Sequence, residues 1–277
     1  MSGEPVGLIA GSGTLPLLVA RGARAAGRSV VCVGIHGCFD PGLPALCDRF
    51  DQAGLVQIGR WVRLLRRGGA REAVMVGGVR KTRMHEPWKL LRQMPDLRAA
   101  WLWYRRLRHD RRNHAVLAAV ADELACCGVP LMDSTTFIQD HLATTGVMGR
   151  VQPDAASAAD VAFGWPLLLR AVELDIGQSM AVRDRDVIAV EAIEGTDAMI
   201  ERAGQLCRTR GWTLLKTAKA AHDRRADVPT VGVATIERVV TAGCRCVAVG
   251  SGHVIFVDKS SVIAAADRLG VALFGVD

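Results

Sequence analysis

VGLIAGSGTLPLLVARGARAAGRSVVCVGIHG, residues 6–37, decides the fold. Val6 to Ala10 is a short apolar run that stops at a glycine, the pattern of a buried strand. Gly11-Ser12-Gly13 makes the turn, and Leu15 to Ala26 reads as a helix with Pro16 in its first turn and Gly27 placed to close it. A second buried run, Val30 to Gly34, then completes a β-α-β unit. Such a unit requires parallel pairing, because the chain crosses over through a helix between the two strands.

Working outward, a short strand is expected near Leu55 to Ile58, a helix from Trp61 to Arg67, and a buried strand in AVMVGG ending at Gly78. A helix from Asn113 to Cys127 runs into a strand at Val129 to Met132. Strands alternating with helices predict an α/β fold with an N-terminal Rossmann-like parallel sheet domain. From Phe137 to Trp165 the periodicity is poor, and Gly146, Gly149 and Pro153 mark a junction. The second half restarts with a hairpin, SMAV at 179–182 and VIAVEAI at 187–193 flanking RDRD. Helix 198–210, strand 212–215, helix 235–242, a hairpin over 246–257, helix 260–269 and strand 271–274 follow. This predicts a C-terminal mixed α/β domain.

At 277 residues and 50% hydrophobic, the chain can bury two moderate cores, and disorder is excluded. No window offers the 18 or so uninterrupted apolar residues of a membrane span, so a cytoplasmic chain is expected. The eight cysteines lack the CxxC spacing of a zinc site and read as reduced thiols used as small apolar residues. The net charge of +7 is concentrated: residues 80–112 hold eleven Arg and Lys against Glu86, Asp96 and Asp110, a local +8. An anionic partner is implied. Trp88, Trp101, Trp103 and Tyr104 are interleaved with these charges and with leucines, the composition of a lipid interface or an acyl pocket; ordinary core packing is the alternative.

Three segments could carry chemistry. Gly11, Ser12 and Gly13 precede a helix N-terminus, where backbone N–H groups favour phosphate; a ligand-free turn is the plain alternative. A nicotinamide cofactor is disfavoured, since the third glycine of the dinucleotide fingerprint and the acid that would bind a ribose are both missing. EAIEGTD, 191–197, puts Glu191, Glu194 and Asp197 within seven residues at a glycine turn, a repulsion that Mg²⁺ would relieve; Thr196 or Asp197 could equally cap the following helix. KTAKAAHDRRADVPTVG, 216–232, brings Lys216, Lys219, His222, Asp223, Arg224, Arg225 and Asp227 together before Pro229, groups suited to a metal-bound pyrophosphate or to a solvated loop, with His222 read as a surface residue rather than a base.

Taken with DIGQSMAV at 175–182, VIAVEAIEGTDAMIERAG at 187–204 and the K-x-x-K-x-x-x-D-x-R-x-D-x-P-T-x-G series from Lys216 to Gly232, the chain resembles the LpxI-type UDP-2,3-diacylglucosamine pyrophosphatases. The resemblance covers essentially the whole length. It implies an N-terminal nucleotide-binding-like domain, 1–135, and a C-terminal catalytic domain, 136–277, that enclose the substrate. The implied reaction, dependent on Mg²⁺ or Mn²⁺, gives lipid X and UMP, with attack favoured at the sugar-side phosphorus. By the same resemblance, Asp227 is the preferred catalytic acid over Asp223, with Lys216, Lys219 and Arg225 offsetting phosphate charge. Glu191, Glu194, Asp197 and Asp227 are the candidate metal ligands, and Gly11, Ser12, Gly13 and Thr196 the substrate contacts. Lys219-Ala220 and His222-Asp223 depart from the family's usual pattern, as does RRN at 111–113.

The implied partners are a UDP-diacylglucosamine-type lipid and an anionic membrane surface met through residues 80–112, with a homodimer allowed. Nucleic acid is not among them, because the clustered acids of the second half would repel it. A nicotinamide-dependent sugar oxidoreductase and a non-catalytic nucleotide-binding module are the alternative readings.

Overall fold

The computed structural model describes residues 3–78, 94–108, 113–219, 223–225 and 228–277. The chain divides into two compact units, one comprising residues 1–139 and 223–227, the other 140–222 and 228–277.

In the first unit, β1 (Gly3–Ala10), α1 (Leu15–Ala25) and β2 (Arg28–Ile35) form the expected β-α-β unit. They are followed by β3 (Arg49–Ala53), α2 (Ile58–Arg67), β4 (Ala73–Val76), α3 (Leu97–Leu102) and α4 (Asn113–Cys126). The four strands lie in the order β3-β2-β1-β4, all parallel, the arrangement of a Rossmann-like half sheet. Ile9, Val31 and Val33 share one core with Trp61, Leu65, Leu102 and Leu124 from α2, α3 and α4. Successive strand residues point to opposite faces, so Leu8, Val30 and Cys32 belong to the other side. The expected strand at 55–58 is not formed. β3 lies earlier, and Ile58 instead opens α2, whose apolar residues at helical spacing bury Ile58, Trp61, Val62 and Leu65. Residues 129–132 contribute only an isolated parallel bridge, Ala73 to Leu131.

The second unit comprises β5 (Gly146–Val147), α5 (Ala155–Glu173), β6 (Ser179–Arg183), β7 (Asp186–Val190), α6 (Thr196–Leu206), β8 (Trp212–Lys216), β9 (Thr230–Val231), α7 (Val233–Thr241), β10 (Cys244–Gly250), β11 (Ile255–Phe256), α8 (Lys259–Leu269) and β12 (Ala272–Val276). Its main sheet runs β5-β12-β10-β8-β6-β7: β12, β10 and β8 are parallel, while β6, β7 and β5 pair antiparallel. Leu215 and Ala248 face α5, where Val161, Trp165 and Leu168 are buried. Leu214 and Val247 face the opposite core, built with Met199, Ile236 and Val262 of α6, α7 and α8.

The hairpin at RDRD is confirmed: Asp184 and Arg185 have φ of 53° and 61°, and the buried Asp160 of α5 accepts from the Arg185 amide at 2.8 Å. The second expected hairpin is not. β10 pairs with β8 and β12, whereas β11 joins β9 in a separate two-stranded sheet. The longest helix described, α5, begins inside the region of poor periodicity and runs beyond it. Gly164 and Pro166 look like breakers in sequence, yet a Cβ at Gly164 would meet Leu215 Cδ1 at 2.6 Å, so the glycine is what lets α5 approach the sheet. By length and composition α5 could cross a membrane, but its Val161, Trp165 and Leu168 are buried in a core and its Asp160 is hydrogen-bonded inside it. All eight cysteines are free, and burial pushes the Cys246 thiol up to about 12.

Candidate active site

The polar residues that sequence singled out gather in three places. The first is the end of β1. In a Rossmann-like sheet the ligand crevice lies where strand order reverses, here beyond the C-terminal ends of β1 and β4. Gly11-Ser12-Gly13 and Gly77-Gly78 occupy those two ends and are bound together: Ser12 N donates to Gly78 O at 2.7 Å, Gly78 N to Ser12 O at 3.0 Å, and Ser12 Oγ to Gly78 O at 2.7 Å. A Cβ on Gly11 would stand 2.6 Å from Gly78 O, so two backbones touch here with no room for a side chain. The Gly11 and Ser12 amides are therefore spent on the Val76 and Gly78 carbonyls. Any anion contact at this turn falls to Gly13, at φ 95°, and the start of α1.

The second place lies inside the second unit. Lys216 ends β8 on the α6 side by strand alternation from Leu214. Its ammonium donates to Thr196 Oγ1 at 2.8 Å, and that hydroxyl donates to Glu191 Oε2 at 3.0 Å. Ser179 Oγ lies 3.3 Å from the same hydroxyl. Lys216 is 4% and Glu191 5% exposed, so a cation and a carboxylate are buried around one hydroxyl. Burying such a pair costs solvation that hydrogen bonds only partly return. An arrangement of this kind is common where chemistry needs a fixed charge.

Glu194 and Asp197, from the same EAIEGTD segment, turn elsewhere. Glu194 meets Arg202 Nη2 at 2.5 Å, and backbone amides together with that guanidinium hold its carboxyl below the usual range. Asp197, exposed in the first turn of α6, faces Arg238 Nη2 at 3.3 Å. The three carboxylates thus do not form one ligand set. Among the described residues no group of three or more His, Cys, Asp or Glu could hold a metal ion. Asp227 and His222 lie outside the described residues. Each of the three carboxylates already has a cation beside it: Lys216 across the Thr196 hydroxyl for Glu191, Arg202 for Glu194 and Arg238 for Asp197.

The third place divides the long motif. Lys216 and Lys219 belong to the second unit, where Lys219 Nζ meets Asp175 Oδ1 at 2.5 Å; residues 223–227 belong to the first. Arg225 grips Asp223 through both oxygens, at 2.8 and 2.6 Å, and this contact raises the arginine above its ordinary value. Arg225 also faces Asp122 of α4 at 3.8 Å. Arg224 reaches Asp133 Oδ2 at 3.2 Å and donates to Thr135 Oγ1 at 3.0 Å, while its own carbonyl accepts from Ser134 N at 2.8 Å. Asp133 and Thr135, the partners of Arg224, were not singled out from sequence. The signal for them was the polar DST directly after an apolar run.

Two family models match in tandem, the LpxI N-terminal domain over residues 5–141 and the LpxI C-terminal domain over 144–274, which makes this a two-domain α/β protein of that type. The chain belongs to the LpxI family. A relative from Caulobacter vibrioides, UDP-2,3-diacylglucosamine pyrophosphatase LpxI, is 33% identical over 98% of this chain and 97% of its own length. Among solved structures, the biotin carboxylase domain of a thermophilic 2-oxoglutarate carboxylase bound to ADP covers 64% of the chain at 11% identity with a TM-score of 0.25. The corresponding Hydrogenobacter thermophilus domain dimer covers 96% at 12% identity and a TM-score of 0.28. Values that low do not establish a shared fold.

Proposed function

We propose that this chain hydrolyses the pyrophosphate of UDP-2,3-diacylglucosamine to UMP and 2,3-diacylglucosamine 1-phosphate, a step of lipid A biosynthesis. The match to one such enzyme along 98% of the chain carries the reading. The reaction takes place in the cytoplasm, at the inner face of the inner membrane where a diacylated substrate resides. A nicotinamide oxidoreductase has no support beyond the opening β-α-β unit, and β2 ends at Ile35 with no carboxylate for a ribose.

In the reaction, water adds to one phosphorus, the bond from that phosphorus to the bridging oxygen breaks, and the proton of the water passes to a carboxylate. Asp227 is the better base, because both oxygens of Asp223 are taken by Arg225. Lys216, fixed by Thr196, supplies positive charge where negative charge gathers on phosphate oxygens. Mg²⁺ or Mn²⁺, for which Glu191 is a candidate ligand, would supply polarisation of the phosphoryl group. The sugar-side phosphorus is the one attacked.

The purified chain, given UDP-2,3-diacylglucosamine in neutral detergent with Mg²⁺, should release UMP, lose that activity in excess EDTA, and regain it with Mg²⁺ or Mn²⁺. No UMP under any of these conditions refutes the function, and undiminished turnover after chelation refutes the cation. In ¹⁸O water the label should enter the lipid phosphate; label in UMP moves the attack to the other phosphorus.

A further inference from the structure

On the first unit, α2 and α3 build a surface that the hydrolysis above does not use. The apolar side of α2 is buried, which leaves Arg60, Arg63, Arg66 and Arg67 exposed on its other side. None of the four has an ion pair among the described residues. Arg63, Arg66 and Arg67 line an open groove of about 710 Å³ toward α3, with Val62 and Gly59 in its wall. Asp96 is the one carboxylate in that lining, against Arg63, Arg66, Arg67 and Arg98; this excess of like charge raises the energy of the free protein, and an anionic surface would lower it.

The edge of this groove is apolar. Leu97, at the start of α3, is 90% exposed, and Met94, Trp101 and Tyr104 stand out with it. Arg105 lies over the Trp101 ring at 5.1 Å and Arg108 over Tyr104 at 4.8 Å, so guanidinium groups and large apolar side chains occupy one surface. Water solvates such a surface poorly, and a second copy of the same face would set arginine against arginine. A phospholipid boundary accepts both components, the rings and Leu97 at the level of the headgroups and the arginines on lipid phosphates.

We propose that this face of α2 and α3, with its continuation through Arg108, docks the protein on an anionic lipid bilayer. Docking gives a reason for the local charge of +8 in residues 80–112, of which 80–93 and 109–112 lie outside the described residues. It rests on the lipid-substrate reading for its purpose, while its evidence is the surface alone.

Sedimentation with phosphatidylcholine vesicles, with and without phosphatidylglycerol, tests it on the full chain. Wild type should sediment with the anionic vesicles only, and should be released as salt shortens the Debye length from about 10 Å toward about 3 Å. The triple variant Arg63→Gln/Arg66→Gln/Arg67→Gln should lower partitioning about a hundredfold. Leu97→Ser/Trp101→Ser should weaken it while leaving the salt dependence in place. Turnover of substrate dispersed in neutral detergent, which needs no bilayer, should stay within threefold of wild type in the triple variant and show that it is folded. Equal sedimentation with neutral and anionic vesicles, a salt-insensitive interaction, or retention of a nucleic acid duplex without vesicle binding each overturns the proposal. Vesicle binding that follows these variants in a protein releasing no UMP from detergent supports the docking and refutes only the enzymatic reading.

Discussion

Replacing Lys216 by Met tests whether the buried cluster of the second unit is electrostatically a single object. Lys216 Nζ and Glu191 Oε2 both contact Thr196 Oγ1, at 2.8 and 3.0 Å, so the two charges lie at most about 6 Å apart. At an effective dielectric of about 20 that separation gives an attraction of about 3 kcal/mol. Removing either charge leaves the other buried and uncompensated, so Lys216→Met and Glu191→Gln should each destabilise the second unit by about 3 kcal/mol. The double variant removes both charges at once and should cost about 3 kcal/mol rather than about 6, a coupling well above the few tenths expected of independent sites. Hydrogen exchange of the β8 and β10 amides in urea reads the unfolding free energy of this unit directly. All three variants should lose activity, which separates the charge's catalytic role from its stabilising one. Strict additivity, or a Lys216→Met protein as active as wild type, refutes the reasoning.

Asp227→Asn keeps the side chain's shape but removes its charge, and kcat should fall by about 10² or more; activity within threefold of wild type would move the base to Asp223 or to a glutamate. Asp154 caps α5, accepts from Ser157 N and from Arg245 at 2.8 Å, and these contacts lower its carboxyl from 3.8 to about 2. Because the folded value is the lower one, its stabilisation is complete above pH about 4 and vanishes as pH falls to about 2. Asp154→Ala should therefore cost about 1 kcal/mol at neutral pH and nothing measurable at the acid end, and a pH-independent difference in urea midpoint would contradict this. Gly11→Ala forces a Cβ to within 2.6 Å of the Gly78 carbonyl oxygen and 2.7 Å of that of Gly77, with no flexible side chain to yield. It should lower the melting temperature of the first unit and weaken binding of nucleotide substrate together; unchanged values of both would mean that the two backbones separate freely.

The first β-α-β unit could be read directly, because buried parallel strands are continuous apolar runs and Gly-Ser-Gly leaves the chain no other local course. The RDRD hairpin was equally plain, two short apolar runs flanking a polar four-residue turn. Helix α5 was not: Gly164 and Pro166 are breakers by local preference, and the contact of Gly164 with Leu215 and Val182 that makes a glycine necessary there exists only once the sheet has formed. The 246–257 segment failed for the same reason, since neighbours along the chain read as a hairpin while β10 finds its partners in β8 and β12, far away in sequence. Sequence by itself singled out the residues proposed to carry the chemistry, because clustered acids and bases need no geometry to be noticed. It could not say how they are paired. EAIEGTD reads as one set of three carboxylates, yet tertiary structure turns Glu194 to Arg202 and Asp197 to Arg238 and leaves Glu191 alone with Thr196 and Lys216. Charge is a property of composition, whereas pairing depends on which distant helix or strand presents the counter-charge, and only the packed sheet decides that.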